Sequence, residues 1–201
     1  MRWTSVHVAS LLNAFVGTAA FAVAVGMIGV DALVDRARFL RMAVEQPGPI
    51  LLQDGLKLVA ALALMLLIGA FHSRLHSADP RRVNAATGAG VFAVVALLLN
   101  ALLSVYSVLN AGRMSEGTGV RLVVAIGGLA FVVLASSGVW YLLTNLVALR
   151  AGGLPRWLCR LGVAVGVASF LPPLALVALV LSVAWSAGLA WTTRVGGAAS
   201  V

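Results

Sequence analysis

Apolar runs fill almost the whole chain and leave only short polar connections between them. They fall at about residues 6–30, 51–71, 85–109, 120–149, 155–169 and 172–191. About 20 apolar residues in a helix are enough to cross a hydrocarbon core of about 30 Å. The 201 residues are 62% hydrophobic and only 10% charged, with a mean hydropathy of +1.06. A soluble domain carries about 25% charged residues, so too few remain here to cover a surface facing water. The pattern predicts an all-α membrane protein: a polytopic transmembrane helix bundle of six spans, forming a single domain over 1–201.

The first run resembles a secretory signal, with one basic residue, Arg2, before it and small residues at Thr18-Ala19-Ala20 and Val23-Ala24. It is far longer than the 7–15 apolar residues of a signal peptide, so a retained span is expected. In the loop 31–50, Ala32, Leu33, Val34, Phe39, Leu40, Met42, Ala43 and Val44 alternate with Asp35, Arg36, Arg38, Arg41 and Glu45. That pattern predicts a short amphipathic helix on the extracytoplasmic membrane surface, broken at Gln46-Pro47-Gly48-Pro49. Residues 72–84 read as a basic loop with a turn at Asp79-Pro80. The stretch from Arg156 to Trp191 would be about 54 Å long as one helix. Pro172-Pro173 divides it, because a proline pair suits a helix start and not a helix interior. The fifth run then measures only about 22 Å, and the alternative to six spans is five spans plus an interfacial helix.

The net charge of +8 does not point to nucleic acid, because the basic residues stand at the ends of apolar runs and form no face interleaved with aromatics. Lipid headgroups are the expected counterpart. With six spans and a cytoplasmic N-terminus, eight basic residues lie inside and six outside, while five of the six acids lie outside. The basic excess agrees with the positive-inside rule. Thirteen arginines against the single Lys57, with abundant Ala, Val and Gly, suggest a GC-rich bacterial genome and so a bacterial cytoplasmic membrane. Trp3, Trp157 and Trp191 stand where interfacial anchors are expected. A single cysteine, Cys159, excludes an intrachain disulfide and a cysteine-based metal motif.

The segment Arg150-Ala-Gly-Gly-Leu-Pro-Arg-Trp-Leu-Cys-Arg-Leu-Gly162, followed by Val-Ala-Val-Gly166, resembles a turn found in small six-span bacterial membrane proteins of actinobacterial type. In that group a basic leucine-proline-arginine-tryptophan-leucine turn leads into a glycine-containing helix, and its members have no assigned function. Phe39 to Arg74 is also similar to their first loop and second span. The resemblance covers about a third of the chain and implies six spans, but no catalytic residues. The very short connection at Pro172-Pro173 departs from it.

Four groups of residues bear on chemistry. His72 and His76 are spaced i, i+4 and share a helix face; with His7 they form the candidate site for a divalent metal or haem, the only cofactors in view. Asn100, Ser104 and Ser107 on the third span, and Ser137, Tyr141 and Thr144 with Asn145 on the fourth, form two polar stripes on neighbouring spans. Facing each other, they would line a polar path; otherwise they are interhelical hydrogen-bond glue worth about 0.6 kcal/mol each. Asp54 and Lys57 stand near the outer end of the second span, where an i, i+3 pair can neutralise itself or Lys57 can snorkel to the interface. Gly162 and Gly166, with Gly26 and Gly29 on the first span, allow close helix approach.

No phosphate-binding loop, zinc hydrolase helix or nucleophile elbow is present, so enzymatic activity is not expected. The first expectation is a structural or partner-interaction role in the membrane, as a subunit of a larger assembly or a homo-oligomer. The second is a transporter-like protein with a polar cavity between the third and fourth spans. The third is a membrane metal- or haem-binding protein.

Overall fold

The computed structural model describes residues 3–29 and 36–198. Among these residues the chain is all helical, with no strand. Helix α1 (Trp3–Ala22) widens into a π-helical turn over Val23–Ile28; then follow α2 (Arg36–Glu45), α3 (Gly48–Leu75), α4 (Pro80–Asn110), α5 (Glu116–Ala151) and α6 (Arg156–Ala168). A 3₁₀ turn at Pro172–Leu174 leads into α7 (Ala175–Ala198). Five stretches are long and apolar enough to cross a membrane: Val6–Ile28, Gly48–Leu75, Pro80–Asn110, Gly117–Ala151 and Pro172–Arg194. The remaining run is helical as α6, but its 13 residues reach only about 20 Å.

Caps, rather than loss of apolar character, set the helix ends. The expected loop at 72–84 is mostly helix: α3 continues through His72 and Arg74 to Leu75, and α4 begins at Pro80. Asp79 starts α4, its Oδ1 accepting the Arg82 N–H at 3.1 Å, with Pro80 in the first turn where no N–H is missed. Ser115 caps α5. Gly152 ends it in the left-handed conformation, φ 66°, which a side chain would strain. Part of the expected amphipathic segment, residues 30–35, lies outside the described residues; the remainder forms α2.

The helices close a ring: α1 packs on α3, α3 on α4, α4 on α5, α5 on α6, α6 on α7, and α7 back on α1. The α1–α7 contact is antiparallel, since His7 meets Ala190 and Asn13 meets Ser186. The end of α7 therefore lies beside the start of α1. Helix α6 does not lie across the bundle but runs antiparallel along α5. A methyl at Gly162 would overlap the Asn145 side chain, and one at Gly166 would crowd Leu142 and the Gly138 carbonyl, so both glycines are needed for this close approach. Gly26, by contrast, has nothing near where a side chain would stand.

The centre of the ring is aromatic. Phe71, Trp140, Tyr141 and Trp185 meet with ring centroids 4.9–6.1 Å apart, mostly edge to face. Trp140 and Trp185 are 1% and 0% exposed. Lipid tails are as apolar as these side chains, so what holds the centre together is dispersion and aromatic geometry rather than escape from water. Trp157 and Trp191 are exposed, at 52% and 68%, as anchors would be. The side chain of Trp3 lies outside the described residues.

At the end of the bundle away from the start of α1, α2 folds over the helix tips. Phe39, Met42 and Ala43 pack on Ile50, Leu51 and Val108, and Met42 also joins Val23, Ile28 and Leu56. The apolar face of α2 thus rests on protein.

Candidate binding cleft

Asp54 and Lys57 lie one turn apart on α3, about 9 Å and 14 Å along the helix from Gly48. A charge within an apolar helix needs a partner, and the i, i+3 spacing puts one on the same face. Lys57 Nζ donates to Asp54 Oδ1 at 2.7 Å and to Asn100 Oδ1 on α4 at 2.9 Å. The Asn100 amide in turn donates to the Ile126 carbonyl on α5 at 2.7 Å. One hydrogen-bonded chain therefore ties three helices together. Lys57 reaches across to α4 rather than snorkelling alone.

The cluster borders a cavity of about 530 Å³ between α3, α4 and α5, lined also by Ile28 of the π-helical turn and Phe39 of α2. Its walls are mainly apolar, from Leu97, Val123, Val133 and Leu134. Asp54 is 1% exposed. Among the described residues its second oxygen, Oδ2, has no hydrogen-bond partner, and neither has Oε1 of the neighbouring Gln53. Both residues line the cavity. A buried acceptor left unmet costs about 1–3 kcal/mol, so two unanswered acceptors lie on residues that line the cleft, beside a neutralised ion pair.

The two sequence stripes are divided by this arrangement. Asn100 and Ser104 line the cleft, with Ser107 buried on the same helix. Tyr141 and Asn145 turn instead toward α7: Asn145 Oδ1 accepts the Trp185 indole N–H at 3.1 Å, and its amide donates to the Tyr141 carbonyl at 2.8 Å. The Tyr141 hydroxyl lies among Asn13, Ser182 and Ser186. Thr144 borders a crevice of only about 10 Å³ with His72 and Thr87. Ser137 is half-buried. The stripes therefore do not join into one path: part of α4's stripe opens on the cleft, while Tyr141 and Asn145 serve as interhelical glue.

His72 and His76 stand side by side, while His7 bonds to α7. His72 Nδ1 lies 2.9 Å from Thr87 Oγ1, and its ring sits 4.9 Å from that of His76. His7 Nδ1 lies 2.9 Å from the Ala190 carbonyl on α7. Among the described residues no group of three or more His, Cys, Asp and Glu gathers where a metal ion could sit. Cys159 is fully buried. A second cavity, about 400 Å³, opens at the other end of the bundle near Val6, Arg74 and Leu154.

Periodicity alone missed Gln53 and Asn13. Asn13 is a single amide in an otherwise apolar stretch, and that isolation is the signal that could have marked it; Gln53 stands beside Asp54, and its place next to the charge pair is its only signal. Comparison with known proteins found no matching family model, curated protein or solved structure.

Proposed function

We propose that this chain is a multi-pass protein of a bacterial cytoplasmic membrane, non-enzymatic and transporter-like in layout, which takes up a small molecule in the cleft bordered by Asp54, Lys57 and Asn100. The observation that carries the reading is the unmet Asp54 Oδ2, buried at the edge of a cavity of about 530 Å³. A purely structural ion pair would be expected to satisfy both carboxylate oxygens. The N-terminus is taken as cytoplasmic and the cleft as facing outward, on the strength of the distribution of acids and arginines. Six crossings, with α6 as a short one, are supported by its antiparallel course along α5 and by the return of α7 to the start of α1. The resemblance to six-span actinobacterial-type proteins points the same way.

The test is retention of a ligand. The wild-type chain and an Asp54→Asn/Lys57→Met double variant are purified from native membranes into phosphatidylcholine nanodiscs, and the small molecules they release are compared by mass spectrometry. A compound enriched on the wild type and lost from the variant is the expected result; identical profiles would refute the reading. Orientation is checked with Arg81→Cys in a Cys159→Ala background, which should react only from the cytoplasmic side.

A partner-interaction role is favoured by a different observation. Val120, Val124 and Phe131 on α5 are exposed, and the most apolar window of that helix is only 6% buried within the chain. A photo-crosslinking residue at Phe131 should capture a protein neighbour in the membrane if this second role is real, and only lipid if it is not.

A further inference from the structure

The cleft reading leaves open which ligand chemistry the site would take, and the inventory of unmet groups narrows it. Both unmet atoms, Asp54 Oδ2 and Gln53 Oε1, are acceptors on adjacent residues. Lys57 already spends two of its N–H bonds on Asp54 and Asn100, and the Asn100 amide is directed at Ile126. A free carboxylate or other anion could take the third Lys57 N–H and the Ser104 hydroxyl, but it would bring further acceptors beside Asp54 Oδ2 and Gln53 Oε1 and leave both unmet. A single hydroxyl has one proton to give and could satisfy only one of the two. A divalent ion would want several oxygen ligands or a group of His, Cys, Asp and Glu, and no such group of three is found among the described residues.

A primary ammonium meets all of these conditions. It carries three N–H donors on one atom, and Asp54 Oδ2 can accept one of them in a charge-assisted bond while Lys57 holds Oδ1. The mainly apolar walls of the cavity call for an apolar chain attached to that head. We infer that the cleft recognises the primary ammonium head of an amphiphile, with Asp54 Oδ2 and Gln53 Oε1 accepting its N–H protons. Such a head belongs equally to an ethanolamine phospholipid and to a free alkylamine. This inference rests on the cleft reading and adds the chemistry of its occupant.

The full chain in phosphatidylcholine nanodiscs is the starting material, because choline has no N–H to offer. Three probes are added in turn: phosphatidylethanolamine, octylamine, and octyltrimethylammonium. Binding is read as a rise in melting temperature and by native mass spectrometry. Stabilisation by phosphatidylethanolamine alone supports the inference with a lipid source, and by octylamine alone with a free amine; stabilisation by both supports the shared chemistry. Equal binding of the trimethylated analogue, or no binding by either primary amine, overturns it. Gln53→Leu removes one acceptor and leaves the ion pair intact, so the protein should fold and bind on the order of tenfold more weakly. Unchanged affinity in that variant also overturns the inference. A water-soluble thiol reagent on Ala130→Cys, a residue lining the cleft, reads the cavity separately. If it reacts while the amines fail, the ligand chemistry falls and the cleft stands.

Discussion

The aromatic centre of the bundle and the cleft under α2 use the same kinds of polar residue in opposite ways. At the centre, Asn145, Tyr141 and Trp185 exchange hydrogen bonds within close-packed aromatic rings, and the adjoining crevice beside Thr144 holds about 10 Å³. At the α2 end, Asp54, Lys57 and Asn100 are also bonded, but the cluster borders about 530 Å³ and leaves two acceptors unmet. A polar side chain buried in a membrane helix is therefore not informative by itself. What separates glue from a site is whether its hydrogen-bonding capacity is exhausted.

Three sets of substitutions sharpen or break that contrast. The largest effect is expected in the packed half. Trp185→Ala removes a fully buried ring at the centre of the aromatic group and should cost about 3–5 kcal/mol. Trp191→Ala, exposed on the same helix, should stay within about 0.5 kcal/mol; both are read by reversible unfolding in mixed micelles. If the two cost the same, the centre is not packed as described.

At the cleft, Lys57→Met leaves the Asp54 carboxylate buried without its cation and should cost about 3 kcal/mol. Adding Asp54→Asn should recover most of that loss, because the uncompensated charge is gone. No recovery in the double variant would mean that the pair is held for reasons other than charge balance.

The smallest change is Asn145→Leu, which strips the Trp185 indole of its acceptor and should cost about 1 kcal/mol. Tryptophan emission should shift with it. Unaltered emission would show that the bond does not define the Trp185 environment.

Much of the fold was legible in the apolar runs, since run length and charge scarcity dictate helices in lipid. Helix ends were less so. His72, Arg74 and Arg82 are polar yet helical, because the helix stops where Asp79 and Pro80 cap the next one and not where apolar residues run out. The i, i+3 pairing of Asp54 with Lys57 could be read from spacing, being local to one helix. Its extension to Asn100 could not, since that depends on the register between α3 and α4. For the same reason spacing left open whether the stripe Ser137, Tyr141 and Thr144 faces that of Asn100 across a path or serves as glue. Stripe spacing gives the face a residue occupies but not which neighbour that face meets. Gln53 escaped notice because an amide beside a charge pair adds nothing to a periodic pattern; only its unmet oxygen reveals it.

The central claim is that α5 borders an open cleft along one part of its length and a sealed core along another. Single cysteines at Ala130 and Thr144, each in a Cys159→Ala background, measure this directly with a small membrane-impermeant thiol reagent. Ala130→Cys should react readily from the cleft side, and Thr144→Cys should not react from either side. Equal reactivity at the two positions would mean one continuous polar path, and no reaction at Ala130→Cys would mean no accessible cleft; either result contradicts the account.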